Sequence, residues 1–225
     1  MSKRLFHLFE ILFEMEIARP IVTERSYLAI YSLPDPSLVD QCIPEVTGTH
    51  DGTGTGLLRV NPPIVVYGKQ CFQHRSIGFF GITDDETGTP LIDGYRYSGQ
   101  LAPAQPMPLH LGRLLAFVNR TFSSAFNGVL VNRYLTGEDT IGDHSDDEKF
   151  LDVTGVVAIS WGQSRTFRIR SKQDKKIVAD IPTGSNMMMI MAGDFQKEFT
   201  HGIPVEKKKN GVRVSFTFRK HNLAP

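Results

Sequence analysis

The spacing of hydrophobic and polar positions changes along the chain, from helical spacing in the first part to short strand-like runs in the second. Near the N-terminus, apolar residues three and four positions apart share one side of a helix, and charged residues interrupt the run. This pattern predicts an amphipathic N-terminal helix and not a targeting segment. Its apolar side consists of Leu5, Leu8, Phe9, Leu12 and Phe13. The residue pattern further along the chain predicts a strand over 27–31 and helices over 36–43 and 109–122.

From Gly128 onward, short β-like runs recur at regular intervals and turn residues separate most of them. These runs are 129–134, 156–161, 166–170, 176–181, 187–191 and 212–218. Short strands that follow a helix-rich start are typical of an α+β fold, in which helices pack outside a β-sandwich or barrel. A length of 225 residues fits a single domain.

Composition limits the classes of function. Apolar residues make up 40% and charged residues 22%, so the chain can form a packed core. A formal net charge of +1 argues against a globally basic nucleic-acid binder. Residues 165–220 nevertheless hold thirteen Lys or Arg and five Asp or Glu, which suits a polyanion as well as an ordinary solvated face. Two cysteines indicate a reducing, intracellular compartment, and no apolar run is long enough to cross a membrane.

Three residues could form a metal site. His144 and Asp146 are two positions apart, so in an extended backbone both side chains point to the same side. His201 follows 57 positions after His144 and precedes Gly202-Ile203-Pro204, which we interpret as a turn at a strand end. Two histidines and one carboxylate on one face of an octahedron suit non-haem Fe(II) oxygenases. A bare His-x-Asp is weak support, since it is more often structural.

The run from Arg213 to Arg219 strengthens this interpretation. Alternation places Arg213, Ser215, Thr217 and Arg219 on one face of a strand, and Val214, Phe216 and Phe218 on the other. Inward-facing arginines are costly unless they meet anions, and the planar guanidinium suits the two carboxylates of 2-oxoglutarate. The alternative is an edge strand with both arginines in solvent.

Together these residues resemble the AlkB family of nucleic-acid dealkylating dioxygenases over 63–220. The densest match is Asn132-Arg133-Tyr134 followed by residues 137–148. Further family motifs match residues 200–204 and the run from Arg213 to Arg219. The resemblance implies an α+β fold with a double-stranded β-helix (jelly-roll) core, flanking N-terminal helices and a nucleotide-recognition lid. It implies an N-terminal helical extension and first strand over 1–60, the nucleotide-recognition lid with a supporting helix over 61–128, and the jelly-roll catalytic core over 129–225, all in one compact domain.

The resemblance also implies roles for individual residues. The iron ligands, and hence the catalytic residues, would be His144, Asp146 and His201. The 2-oxoglutarate contacts would be Asn132, Tyr134, Arg213, Ser215, Thr217 and Arg219. Ser215 departs from the family, which commonly has Asn there, so we expect altered cosubstrate affinity. The substrate contacts would be Val66, Tyr67, Gly68, Lys69, Arg75, Tyr95, Tyr97, Asp147 and Glu148.

The match is closest to the branch that repairs duplex DNA, where a hairpin with an aromatic tip, here at Tyr67, wedges into the base stack. Tyr95 and Tyr97 would stack on the extruded base, and the acidic pair Asp147 and Glu148 would favour a cationic alkylated base. The implied activity is demethylation of 1-methyladenine and 3-methylcytosine with Fe(II), 2-oxoglutarate and O2, releasing formaldehyde. Single-stranded DNA or RNA as substrate, a protein hydroxylase and a non-catalytic binding module stay as alternatives. We expect a monomer that binds alkylated DNA and no membrane.

Overall fold

The computed structural model describes residues 16–66, 68–97, 100–146 and 155–221, without the side chains of Val66 and Tyr97. The predicted N-terminal helix lies outside these residues. Among the described residues the strands are β1 Glu16–Val22, β2 Ser26–Ser32, β3 Arg59–Val60, β4 Pro63–Val66, β5 Lys69–Phe72, β6 Ser76–Gly81, β7 Gly94–Tyr97, β8 Gln100–Pro106, β9 Gly128–Tyr134, β10 Ile141–His144, β11 Val156–Gly162, β12 Arg165–Ser171, β13 Ile177–Thr183, β14 Met187–Gly193, β15 Phe199–Ile203 and β16 Arg213–Arg219. The helices are α1 Ser37–Asp40, α2 Cys42–Thr47, α3 Leu109–Thr121 and α4 Phe195–Glu198.

The strands form a large sheet, a small sheet and a hairpin. The large sheet has the order β1-β2-β14-β11-β16-β9-β6-β8-β7, with β3 paired to β6. The small sheet has the order β10-β15-β12-β13, and β4 pairs with β5 in the separate hairpin. One hydrophobic cluster, which includes Tyr134, Phe167 and Met189, joins the inner faces of the two larger sheets. This is the jelly-roll core that the sequence predicted.

Helices cover the outer face of the large sheet. The helix α3 buries Leu111, Leu114 and Val118 in a second cluster with Phe216 of β16 and Ile43 of α2. These α3 positions have the helical spacing that predicted the helix. The α2 residue Glu45 stabilises the start of α3, because its carboxylate accepts hydrogen bonds from the backbone N–H groups of His110 and Leu111, both at 3.0 Å.

Two predicted boundaries are corrected. The single helix expected over 36–43 is two short helices that part at Gln41. Proline has no N–H to donate to the carbonyl four residues earlier, so Pro44 cannot continue a helix from Asp40. The expected turn Gly202-Ile203-Pro204 begins only at Pro204, because β15 runs through Ile203.

The predicted strands of the second half are all present, within a few residues of their expected ends. In the described residues, no helix is long and apolar enough to cross a membrane.

Candidate metal and cosubstrate site

The large sheet and the small sheet enclose a recess of about 550 Å³, part of it open to solvent. Its wall brings together the residues predicted to hold the metal with those predicted to hold the cosubstrate. We call His144, Asp146 and His201 the metal end. The cosubstrate end consists of Asn132, Tyr134, Arg213, Ser215, Thr217 and Arg219.

The metal end is formed where β10 and β15 lie side by side. His144 and His201 are directly opposite in this antiparallel pair, and their ring centroids are 4.5 Å apart. Asp146 follows two residues after His144, and its carboxylate oxygens lie 3.9 Å from His144 Nε2 and 3.5 Å from His201 Nε2. One ligand atom from each residue lies within 4.8 Å of the others. Three side chains of the two ligand types preferred by iron, imidazole and carboxylate, therefore converge on one point.

The two histidines are oriented by their neighbours. His144 Nδ1 lies 2.9 Å from the carbonyl oxygen of Gly142. A proton on Nδ1 would be donated there, which leaves the Nε2 lone pair for a metal. Burial, followed by the nearby His201, lowers the pKa of His144 to about 3. The ring is therefore neutral at pH 7, as a metal ligand must be. Phe167 stacks on His201 with centroids 5.0 Å apart, which fixes the second ring.

Asp146 is 3% exposed and is held from several sides. Its backbone N–H donates to Gln196 Oε1 of α4 at 2.8 Å, and Arg219 Nη2 donates to Asp146 Oδ1 at 2.5 Å. Burial alone would raise the pKa of Asp146, but Arg219 and the two histidines outweigh it, so the pKa lies well below its usual value. The second oxygen, Oδ2, is buried and has no hydrogen-bond partner among the described residues. A buried carboxylate oxygen of this kind fits a metal ligand.

The cosubstrate end lies on β9 and β16, which are neighbours in the large sheet. Arg213 pairs with Tyr134 and Ser215 with Asn132 across this antiparallel pair. The alternating face predicted for β16 is confirmed, because Val214, Phe216 and Phe218 pack in the core on the other side. The strand is central in the sheet, so the alternative of an edge strand with solvated arginines is excluded.

Arg213 has the environment of an anion site. It is 3% exposed, and its Nη2 donates to Ser160 Oγ at 2.9 Å. Its Nε and Nη1 are buried without a hydrogen-bond acceptor in the part of the chain that the structure describes. Burial lowers the pKa of Arg213. A ligand carboxylate would supply both the missing acceptors and the missing negative charge, so the residues fit 2-oxoglutarate.

The structure describes only some of the predicted substrate residues. Arg75 is buried on the recess wall and its Nε donates to Asn132 Oδ1 at 2.8 Å. Tyr95 also lies on the wall, with its hydroxyl 3.5 Å from Asp146 Oδ1 and its ring against Phe79 and the Arg219 guanidinium. Within the hairpin, Gly68 and Lys69 are exposed. Tyr67, Asp147, Glu148 and the side chains of Val66 and Tyr97 lie outside the description, so their roles stay predictions.

Comparison with known proteins identifies the family. Residues 59–219 match the model of the 2OG-Fe(II) oxygenase superfamily. The chain belongs to this superfamily. The predicted use of Fe(II), 2-oxoglutarate and O2 is thereby confirmed at the level of the family, and the His-Asp-His group suits the iron.

Its relatives are AlkB-like proteins, as the motifs predicted. The human DNA oxidative demethylase ALKBH2 is 33% identical over 134 residues, which cover 56% of this chain and 51% of the relative. The Arabidopsis thaliana protein of that name is 26% identical over 70% of this chain and 56% of the relative. The alpha-ketoglutarate-dependent dioxygenase alkB homolog 3 of Mus musculus is 33% identical over 48% of this chain and 41% of the relative. The chain thus spans about half the length of the curated relatives it matches.

A solved structure supports the fold. The structure of OsALKBH1 superimposes with a TM-score of 0.53 and 17% sequence identity, covering 91% of this chain and 100% of that chain. At this identity the likeness concerns the fold alone, and it agrees with the jelly-roll architecture.

Several residues of the site are not predicted by the sequence patterns. They are Gln196 and Phe167, which contact predicted metal ligands, and Ser160, which accepts a hydrogen bond from Arg213. Gln196 gave no signal, because its helix is only four residues long. Phe167 and Ser160 lie on inward positions of predicted strands, which indicates burial but not the partner.

Proposed function

We propose that this protein oxidatively removes alkyl groups from N-alkylated bases in DNA, such as 1-methyladenine and 3-methylcytosine. The observation that supports this most is the single recess in which the metal end, the cosubstrate end and Tyr95 meet. The names of the relatives support DNA as the substrate. With Fe(II), 2-oxoglutarate and O2 bound, the site would supply oxidation of the N-methyl group, with release of succinate, carbon dioxide and formaldehyde.

In this proposal the residues of the chain bind and orient the metal, the cosubstrate and the base, and they exclude water from the site. His144, Asp146 and His201 hold the metal, and burial of the Asp146 carboxylate keeps competing water away from it. Arg213 binds a carboxylate of 2-oxoglutarate, and the other residues of the cosubstrate end complete that pocket. Tyr95, with Arg75 nearby, borders the space for the alkylated base.

Duplex DNA is the preferred substrate in this proposal. The hairpin of β4 and β5 ends in the pair Val66 and Lys69, and Tyr67, which follows Val66 in the sequence, would fill the space left by an extruded base. Tyr97 would stack on that base, while Asp147 and Glu148 would favour its positive charge. We also propose that the protein acts as a monomer, with the segments 1–60, 61–128 and 129–225 in one compact domain.

Formaldehyde release from a panel of alkylated oligonucleotides tests the proposal, with Fe(II) and 2-oxoglutarate omitted in turn. We expect release from alkylated DNA only when both are present. Turnover of peptide with none of DNA would identify a protein hydroxylase, and no turnover of 2-oxoglutarate at all would indicate a binding module.

Tyr67→Ala tests the duplex preference. It should lower activity on methylated duplex more than on the matching single strand. An equal loss on both, or a wild-type protein that is as active on single-stranded DNA or RNA, would contradict a wedge at this position.

A further inference from the structure

One buried guanidinium, that of Arg165, contacts both loops that lead into the site. Arg165 is the first residue of β12 and is 1% exposed. The described residues that line the recess do not include it, so it lies behind the wall. Its Cζ lies 5.9 Å from the centroid of the Tyr134 ring, which does line the recess. Arg165 thus stands directly behind the cosubstrate end.

The first loop, residues 135–140, joins β9 of the cosubstrate end to β10 of the metal end. Arg165 donates to three backbone carbonyls there: Nη1 to Thr136 at 2.8 Å, and Nη2 to Asp139 at 2.8 Å and Gly137 at 3.3 Å. One end of this loop follows Tyr134, and the other leads through Ile141 to His144.

The second loop, residues 204–212, joins β15 of the metal end to β16 of the cosubstrate end. Arg165 Nη2 donates to the Pro204 carbonyl at 2.8 Å, and Nε donates to Glu206 Oε2 at 3.0 Å. The Glu206 carboxylate also accepts from the backbone N–H of Thr166 at 2.8 Å and from its hydroxyl at 3.1 Å. This loop begins three residues after His201 and ends immediately before Arg213.

The two loops also bond to each other beside Arg165. The Glu206 N–H donates to the Gly137 carbonyl at 2.8 Å, and the Gly137 N–H donates to the Lys209 carbonyl at 2.6 Å. The backbones approach so closely at Gly137 that a Cβ there would overlap the carbonyl oxygen of Glu206. The two backbone hydrogen bonds and the close approach at Gly137 require the two loops to stay at a fixed separation.

We propose that Arg165 is a positioning residue that sets the placement of the metal end relative to the cosubstrate end. Its three nitrogens contact five acceptors, four carbonyls and one carboxylate, which lie in the two loops, and Nη2 shares its two N–H groups among three of the carbonyls. Each loop joins a strand of one end to a strand of the other, so one side chain fixes both junctions. The inference rests on the ligand assignments of the proposed function, because it concerns how those ligands are held.

The test measures binding of the two ligands separately in Arg165→Lys. Lysine keeps the charge but offers three donors from one point, so it cannot satisfy five acceptors in two loops. We expect the dissociation constant for Mn²⁺ and that for 2-oxoglutarate, measured by calorimetry on the Mn²⁺-loaded protein, both to rise by about 10- to 100-fold. Both measurements are made where circular dichroism shows the variant to be folded.

Arg168→Lys is the matched control. Arg168 lies on the same strand, but it faces solvent and pairs with Asp180 at 2.7 Å. Both dissociation constants should stay at their wild-type values in this variant. Gly137→Ala disturbs the same junction from the first loop and should weaken both ligands together, as Arg165→Lys does.

If Arg165→Lys does not fold, Glu206→Gln keeps the test available. It preserves the side-chain shape and removes the negative charge, and we expect a smaller but still joint weakening. A folded Arg165 or Glu206 variant with a lower melting temperature and unchanged dissociation constants would overturn the proposal, and so would weakening of one ligand alone.

These measurements need no DNA, so they separate this inference from the proposed function. If the wild type binds Mn²⁺ and 2-oxoglutarate but releases no formaldehyde from any alkylated DNA, the proposed activity fails while the Arg165 result still stands. If the wild type binds neither ligand, the assignments fail and this inference is overturned with them.

Discussion

The metal end and the cosubstrate end differ in how the chain builds them. The cosubstrate end comes from two neighbouring strands of one sheet, and four of its six residues alternate along β16. The residues of the metal end lie on β10, in the segment after β10 and on β15. The side chain of Gln196 in α4 accepts a hydrogen bond from the backbone N–H of Asp146. Alternation along one strand thus places four residues of the cosubstrate end together, whereas no single element supplies all three residues of the metal end.

The largest effect should come from Asp146→Ala, which removes the carboxylate at the centre of the metal end. Both histidines and Arg219 lie within hydrogen-bond or ion-pair distance of this side chain. We expect formaldehyde release to fall to background and Mn²⁺ binding to be lost in calorimetry, with the circular dichroism spectrum unchanged. Full turnover in this variant would disprove the iron assignment.

Arg213→Met should break the other end alone. It removes a buried guanidinium whose Nε and Nη1 have no acceptor among the described residues, and it keeps much of the side-chain volume. We expect the dissociation constant for 2-oxoglutarate to rise about 30-fold or more, since losing one partner of a buried charge pair costs about 2–5 kcal/mol. The Mn²⁺ affinity should stay close to that of the wild type, and a parallel loss would show that the two ends are not separable in this way.

The same contrast explains what the sequence could predict. The strand Arg213–Arg219 is predictable because period-2 alternation places its polar residues on one face, and β16 confirms this residue by residue. The helix α3 was found for the equivalent reason, with apolar residues at helical spacing. Elements that depend on long-range packing gave no such signal. The strand β6 is buried throughout and contains two glycines, so it shows no alternation, and β8 contains two prolines.

For the candidate site, the sequence predicted the residue types but not their supports. His144, Asp146 and His201 lie together as expected, yet the pattern could not show that Gln196 would reach the backbone of Asp146. The basic composition of residues 165–220 does not distinguish Arg165 from the other Lys and Arg residues, although Arg165 is 1% exposed. Alternation with Phe167 and Ile169 indicates an inward position for Arg165, but no pattern predicts its partners, which are four loop carbonyls and the Glu206 carboxylate.

Gln196→Leu sharpens the comparison by weakening the metal end without touching a ligand. It removes the acceptor for the Asp146 N–H while keeping the side chain close in size. We expect the Mn²⁺ dissociation constant to rise by about 10-fold, the lower range for partners behind a metal ligand. 2-Oxoglutarate affinity at saturating Mn²⁺ should change little. Gln196→Glu retains an acceptor oxygen and should restore most of the metal affinity; equal losses in both variants would mean that this hydrogen bond does not position Asp146.

Ser215→Asn should have the smallest effect and act at the cosubstrate end. Ser215 lies opposite Asn132 on β9 and Ser160 on β11, and it faces the recess. Asparagine is the residue that the AlkB resemblance leads one to expect there, and its amide adds a donor that reaches further into the recess than a hydroxyl. We expect the dissociation constant for 2-oxoglutarate to fall by about 3-fold, which corresponds to about 0.6 kcal/mol, with metal affinity unchanged. Weaker binding in the variant would instead show that the recess is too narrow at this strand for the larger side chain, so that serine is matched to its neighbours Asn132 and Ser160.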